Sequence, residues 1–456
     1  MADSGPNPNH TPVLKRPATR RAILGGTVAA ASVAVTYAAL GDKLDLFGGS
    51  GSNGDTSGAV SAQDTDAISK ESVRINHLLR RAGFGVSREE HDHYQSLGLK
   101  SSIDELVNFT TIDDSTAVNL AAQVPTDEQN RQNLPVWWMV RMANTKRPLQ
   151  ERMTYFWHSL LTSQLSVVKD SALMVRQNDF YRTNAMATFP EILKGVSADP
   201  AMMLYLDVSG SQKAAPNENY ARELMELFSL GIGNYTETDI RNSARAFTGW
   251  VVPRNGGAPG APSYGDPVFA PNRFDSGTKT FLGKTGNLRP DDIIDTIVEQ
   301  PASAHFIVNR LFSFFVYPGP DDKTLQPFID TYVKSNKSIG ATVEALLRSD
   351  VMYSPQAYRA IVRSPVEYMV AAIKALGSQA TTAQIVGQVQ RQGQALTTMG
   401  QVLFEPPNVA GWPGGSTWLN SATMFARLNF INQLTGGAAA ARGNARNQLA
   451  PSQPAG

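Results

Sequence analysis

The sequence predicts a mainly α-helical protein, one large multi-helix domain with a Gly/Pro-rich excursion and at most a small β-hairpin. Three observations lead there. Apolar residues recur at i, i+3, i+4 along most of the chain, as at Ile75, Leu78 and Leu79. Start and stop signals bound these stretches, such as the capping box Ser87-Arg88-Glu89-Glu90. The long stretch without a helical period, residues 253–274, is rich in Gly and Pro.

The chain opens on a polar, Pro/Asn-rich stretch expected to be disordered. Thr19-Arg20-Arg21-Ala22-Ile23-Leu24 then leads an apolar run to Leu40, behind Lys15 and Arg16 and without an acidic residue from His10 to Gly41. Residues 1–41 thus have the layout of a twin-arginine signal, which exports proteins already folded in the cytoplasm. The competing reading is a membrane anchor. The run approaches the ~20 residues that span a bilayer, although Gly25, Gly26, Thr27, Ser32 and Thr36 make it weakly apolar. Thr36-Tyr37-Ala38 is a poor cleavage site, so retention as an anchor stays open. The expected location is the cell envelope or beyond, with membrane contact only through this segment.

Residues 42–66 read as a flexible Gly/Ser linker, 67–435 as the helical domain and 436–456 as a disordered tail. The domain's length suits one large core or two closely packed ones. The net charge of +1 gives no electrostatic footprint for nucleic acid. The absence of cysteine excludes thiolate metal sites, Fe–S clusters, covalent c-type haem and Cys nucleophiles. No motif supports a particular cofactor, which stays unknown, and no metal site is assigned.

In order along the domain, the first helix stops at Gly83 and the capping box starts the second. Residues 134–144 and 150–162 are helical runs rich in Trp, Met and Phe. Residues 217–230 form an amphipathic helix ended by Gly231 and Gly233, and Thr236-Glu237-Thr238-Asp239 caps the next, which ends near Gly249. In and just after the excursion only Pro267-Val268-Phe269 and Thr280-Phe281-Leu282 favour strand. Helices resume at Pro290-Asp291-Asp292 and cover 301–316, 365–376, 381–403 and 421–434, with a Pro/Gly/Trp loop at 404–419.

Four blocks resemble the bacterial domain-of-unknown-function 1800 family. They are His77-Leu78-Leu79-Arg80-Arg81-Ala82-Gly83-Phe84-Gly85; Phe156-Trp157-His158; Asn217 to Phe228, continuing through Tyr235-Thr236-Glu237 and Ala246-Phe247-Thr248-Gly249-Trp250; and Pro406-Pro407-Asn408-Val409-Ala410-Gly411-Trp412-Pro413-Gly414-Gly415 with Trp418. The resemblance implies a secreted or envelope-associated, largely helical protein and no established reaction. It also implies a partner, because family members are often encoded beside another exported family that resembles alkaline phosphatases. Two departures stand out. Ser159-Leu160-Leu161 follows Trp157-His158 where the family usually has Asn-His-Phe, and Phe274 precedes Asp275-Ser276-Gly277-Thr278-Lys279-Thr280 where the family often has His.

On the 217–230 helix, Glu218, Asn219, Arg222, Glu223 and Glu226 fall within about 140° of arc at 100° per residue. Glu218–Arg222 and Arg222–Glu226 have ion-pair spacing, so the face is either a solvated salt-laced surface or a carboxylate cluster lining a cleft. His158 is either a satisfied core histidine or a general base oriented by Glu218 or Glu223. His77 with Arg80 and Arg81 offers an anion-binding corner or plain capping and ion pairing. His91 and His93 diverge by about 200° on a helix, which argues against a shared metal. Trp412 either plugs a core gap or, with Trp418, stacks on sugar faces. Ser166-Val167-Val168-Lys169 and Lys284-Thr285-Gly286 mimic two elements of penicillin-recognising enzymes, but the middle element is missing.

Two functional expectations follow. One is an exported acid/base hydrolase of an envelope polymer or glycan, with Glu218, Arg222, Glu223, Glu226 and His158 as catalytic residues. The other is a non-catalytic binding or assembly partner of another exported protein.

Overall fold

The computed structural model describes residues 67–255, 263–375 and 393–448. The twin-arginine segment, the 42–66 linker and much of the expected 381–403 helix lie outside the described residues. Helices dominate: α1 (Glu71–Arg81), α2 (Arg88–Val107), α3 (Ser115–Ala121), α4 (Leu134–Asn144), α5 (Pro148–Leu160), α6 (Leu165–Val168), α7 (Ser171–Thr183), α8 (Phe189–Ser197), α9 (Pro200–Tyr205), α10 (Glu218–Glu223) and α11 (Glu237–Ala246) precede the strands. After them come α12 (Pro290–Val298), α13 (Pro301–Phe315), α14 (Asp322–Lys334), α15 (Ile339–Arg348), α16 (Pro365–Ala375), α17 (Gly393–Met399) and α18 (Ser421–Gln448). The last helix continues beyond Gly436, where the sequence suggested a disordered tail.

The caps read from sequence form as expected. Ser87 Oγ accepts from the Glu90 N–H while the Glu90 carboxylate accepts from the Ser87 N–H, and Thr236 with Asp239 repeats the arrangement. The excursion holds more strand than one hairpin. β1 (Trp250–Val251) pairs antiparallel with β2 (Val268–Phe269), and β3 (Lys279–Phe281) pairs with β4 (Lys284–Gly286). Leu282 and Gly283 turn the second pair, both at positive φ (44° and 86°), as a type I′ turn requires.

One expected helix takes a different form. Residues 217–230 are α-helical only over Glu218–Glu223 and then widen into a π-helix over Leu224–Ser229. The Ser229 hydroxyl donates to the Leu224 carbonyl and the Leu230 N–H to the Met225 carbonyl, both five residues back. The 100° spacing therefore fails beyond Glu223.

Two apolar cores lie to either side of α5. One gathers Trp157, Phe189, Phe228, Phe312 and Phe315; the other gathers Trp138, Tyr155, Val370, Phe404 and Phe430. Every residue of α5 from Leu149 to His158 is buried, including its charged ones. That burial requires paired charges. The Glu151 carboxylate accepts from Trp138 Nε1 (2.8 Å), Arg141 Nε (2.7 Å) and Arg182, and Arg152 pairs with Glu367 on α16. Among the described residues no helix is long and apolar enough to cross a membrane.

Candidate functional site

The acidic helix is largely accounted for by surface ion pairs. Arg222 makes a two-pronged contact with Glu237 on α11, 3.0 Å on each arm, and lies 3.6 Å from Glu218. The expected Arg222–Glu226 pair does not form: the π-helix shifts Glu226, which accepts instead from the Tyr235 hydroxyl at 3.1 Å. Glu223 is half-buried. Desolvation, then the neighbouring Glu226, raises its carboxyl above the usual range, against the pull of Arg222.

His158 sits apart from these acids. It is buried among the rings of Trp138, Phe404 and Trp412, with centroids 4.9, 5.0 and 5.6 Å away. Its Nε2 accepts from the Phe404 N–H at 3.2 Å, and burial lowers its pKa to about 3. Among the described residues no hydrogen bond or ion pair joins it to Glu218, Arg222, Glu223 or Glu226.

A cleft lies on the other side of Trp412. It is a cavity of about 300 Å³ between α5, α13, the segment 361–367 and the Pro/Gly/Trp loop. None of the five predicted residues lines it; the acidic helix contributes Leu227. One wall is aromatic, with Trp412 and Phe314 half-buried and Trp418, Tyr155 and Phe156 buried. Trp412 both lines the cavity and packs its ring 5.6 Å from that of buried His158. Its loop is tied down by Thr162 Oγ1, which donates to the Val409 carbonyl (2.8 Å). Gly411, at φ 78°, leaves no room for a Cβ, which would lie 2.6 Å from the Ser159 carbonyl oxygen.

A polar chain forms part of the cavity lining. Gln401 Nε2 donates to the Tyr155 hydroxyl (2.6 Å), which donates to Ser364 Oγ (3.0 Å). The Ser364 N–H donates to Glu367 (2.7 Å), and Glu367 holds Arg152. Burial alone would raise the Glu367 carboxyl, but Arg152 and Ser364 overcome it and hold it below the ordinary range. The Arg152 guanidinium also stacks 4.0 Å from the centre of Phe314. Arg310 lines the same cavity with its guanidinium over the Phe306 ring, 5.2 Å from its centre, and among the described residues it has no ion pair.

A second chamber of about 140 Å³ shares Ile361 and Glu367 with the cleft and is walled by His77, Arg80, Arg81, Arg359 and Arg363. Desolvation, then Arg152, pushes Arg81 down to about 9. Desolvation, then Arg81 and Arg80, holds His77 at about 3. The two cavities together line six guanidinium groups against one carboxylate. The lining is thus electrostatically positive.

The other motifs stay structural. His91 bonds Asp92 and His93 bonds Glu105, and among the described residues no three His, Cys, Asp or Glu converge as metal ligands. Ser166 donates to Glu405. Arg245 grips Asp275 with two bonds, and Lys279 donates to the carbonyls of Asp275 and Gly277 beneath the Phe274 ring. Sequence reasoning missed Arg152, Arg310 and Arg363. The available signal was Glu151-Arg152 within an otherwise apolar, aromatic helix, where charges need buried partners.

Comparison with known proteins gives one match: residues 77–454 fit the family described as "Protein of unknown function (DUF1800)". No curated protein and no solved structure matches.

Proposed function

The chain belongs to the DUF1800 family, and from that premise we propose that it is an exported binding protein for an acidic glycan of the cell envelope, held in the arginine- and tryptophan-walled cleft. The observation that carries this is the meeting of Trp412, on a tethered Pro/Gly loop, with Arg310, which has no ion pair among the described residues, in one cavity. A flat indole face suits a sugar ring, and a guanidinium suits the carboxylate or phosphate that an acidic sugar carries. Binding has more support than acid/base hydrolysis. Glu218 and Arg222 are engaged at the surface, and His158 is neutral and buried behind the cleft wall. The twin-arginine layout of residues 1–41 supports export.

The test is a calorimetric titration of the full chain with a uronic-acid oligosaccharide at several salt concentrations. Saturable binding that weakens with salt and falls at least tenfold in Arg310→Leu is expected. Salt-independent binding, or an Arg310→Leu variant as tight as the parent, counts against the proposal. For location, Arg20→Lys with Arg21→Lys should leave the protein in the cytosol; unchanged export of that variant removes the envelope from the account.

A further inference from the structure

We infer that the exposed face of α18 is a docking surface for an anionic lipid bilayer. This does not rest on the glycan cleft, and it adds a second membrane contact to the one expected of residues 1–41.

This helix is apolar on two sides. Its inner side carries Phe430 and Leu434 into the second core, with Ala426 and Ile431 packed against it. On the other side, Met424, Phe425 and Leu428 fall within about 100° of arc at 100° per residue. All three are exposed, Phe425 at 65% and Leu428 at 55%, and so is Leu419 just before the helix. Among the described residues nine large apolar side chains stand exposed, and four of them fall in this one stretch. The face is therefore a patch rather than the single apolar residues that any surface carries. An apolar outer side on a helix already seated in a core calls for a further apolar phase.

Charge and area choose lipid as that phase. From Pro406 to Gly456 the sequence has no Asp or Glu, against Arg427, Arg442 and Arg446. The helices packed beside α18 are α16 and α17, and their one carboxylate, Glu367, is buried on Arg152. These elements therefore set no exposed acid against anionic headgroups, and the arginine excess attracts them. Four half-exposed side chains offer about 400 Å², roughly half of what each partner gives to a standard protein interface. A bilayer sets no such minimum, because binding grows with each apolar side chain buried. Among the described residues no helix is long and apolar enough to cross a membrane, so α18 lies in the interface plane with Phe425 and Leu428 at the acyl boundary. Leu419 directly follows Trp418 of the cleft lining, so docking sets the cleft beside the lipid surface.

The chain has no cysteine, so Asn429→Cys, at an exposed position on the rim of this face, provides one attachment point for a polarity-sensitive fluorophore. The labelled full chain is titrated with vesicles of phosphatidylglycerol and of phosphatidylcholine. The label should report a saturable transfer into an apolar setting, at least tenfold tighter for phosphatidylglycerol and weaker at high salt. Phe425→Ser with Leu428→Ser should weaken that response at least tenfold, while the same label at Val333→Cys, exposed on α14, stays in water. A chain that co-sediments with vesicles while its α18 label stays in water is held by another segment, and this overturns the inference. Equal responses to the two lipids, a response at Val333→Cys, or an undiminished response of the double serine variant overturns it too. So does an α18 label already shielded before lipid is added, which assigns the face to a second copy or to another part of the chain. The results without the serine substitutions decide even if that variant fails to fold. Uronic-acid binding tests the cleft separately: its loss leaves this surface standing, and a silent label leaves the cleft.

Discussion

The Phe404 N–H donates to His158 Nε2 across 3.2 Å, and this bond joins the α5 helix to the start of the loop that carries Trp412. Phe404 has a positive φ of 65°, a strained conformation for a non-glycine residue, so something must hold it. His158→Leu leaves that buried N–H without an acceptor. We expect a loss of about 1–3 kcal/mol in chemical denaturation, with partial recovery in His158→Gln. A variant as stable as the parent contradicts the structural role of this histidine.

Buried neutral histidines make the fold sensitive to acid. Burial holds His77 and His158 at about 3 in the folded protein, against 6.5 for the free side chain. The unfolded chain therefore binds up to two more protons between these limits. Their stability contribution is complete above pH 6.5 and is lost as the pH falls towards 3. Asp199 works in the opposite sense. Desolvation raises it to about 6, against partial relief from the Met202 N–H and Gln177, so the folded form holds an extra proton between about 4 and 6. The histidines outnumber it. The melting temperature should fall from pH 7 to pH 5, less steeply in His158→Gln, and a flat profile contradicts the assignment.

Acidic residues in different settings should respond in opposite ways. Glu151 is buried between Arg141 and Arg182, and although burial alone would raise its carboxyl, those arginines hold it below the ordinary range. Glu151→Gln takes the shared buried carboxylate from Arg141 and Arg182, leaving them Asp114 and Asp179, and should cost about 3 kcal/mol. Glu223→Gln relieves a desolvated charge beside Glu226, so its stability should change by less than about 0.5 kcal/mol or rise slightly. Denaturant midpoints of the two variants separate them; a collapse of Glu223→Gln means that its charge is a structural tie.

Gly411→Ala tests the loop. The added methyl meets the Ser159 carbonyl at 2.6 Å in a left-handed backbone conformation. The loop must move, at about 1–3 kcal/mol, and Trp412 with it. Oligosaccharide binding measured by calorimetry should weaken with it, and undiminished affinity contradicts the loop's part in the cleft.

The fold was legible where local signals agreed. The boxes at Ser87 and Thr236, and Pro290 followed by two aspartates, each mark an observed helix start. The π-helix was not legible, because the side-chain pattern up to Glu223 matches an ordinary α-helix and the widening rests on bonds from Ser229 and Leu230 to carbonyls five residues back, which no residue type announces. The candidate site was half legible. His77, Arg80 and Arg81 lie within one short stretch of sequence that suggested an anion corner, and all three line the second chamber. Arg152, Arg310 and Arg363 come from three distant segments, and only the packing of α5, α13 and α16 with their connections brings them together. The acidic helix drew attention through its spacing, yet a charge-dense face is also what a solvated surface looks like.

The most direct measurement is tryptophan fluorescence of the full chain during titration with a uronic-acid oligosaccharide and with its neutral counterpart of equal length. The account predicts a saturable change for the acidic sugar only, and at least tenfold weaker binding by calorimetry in Trp412→Ala. Equal responses to the two sugars, or undiminished affinity without the indole, would contradict it.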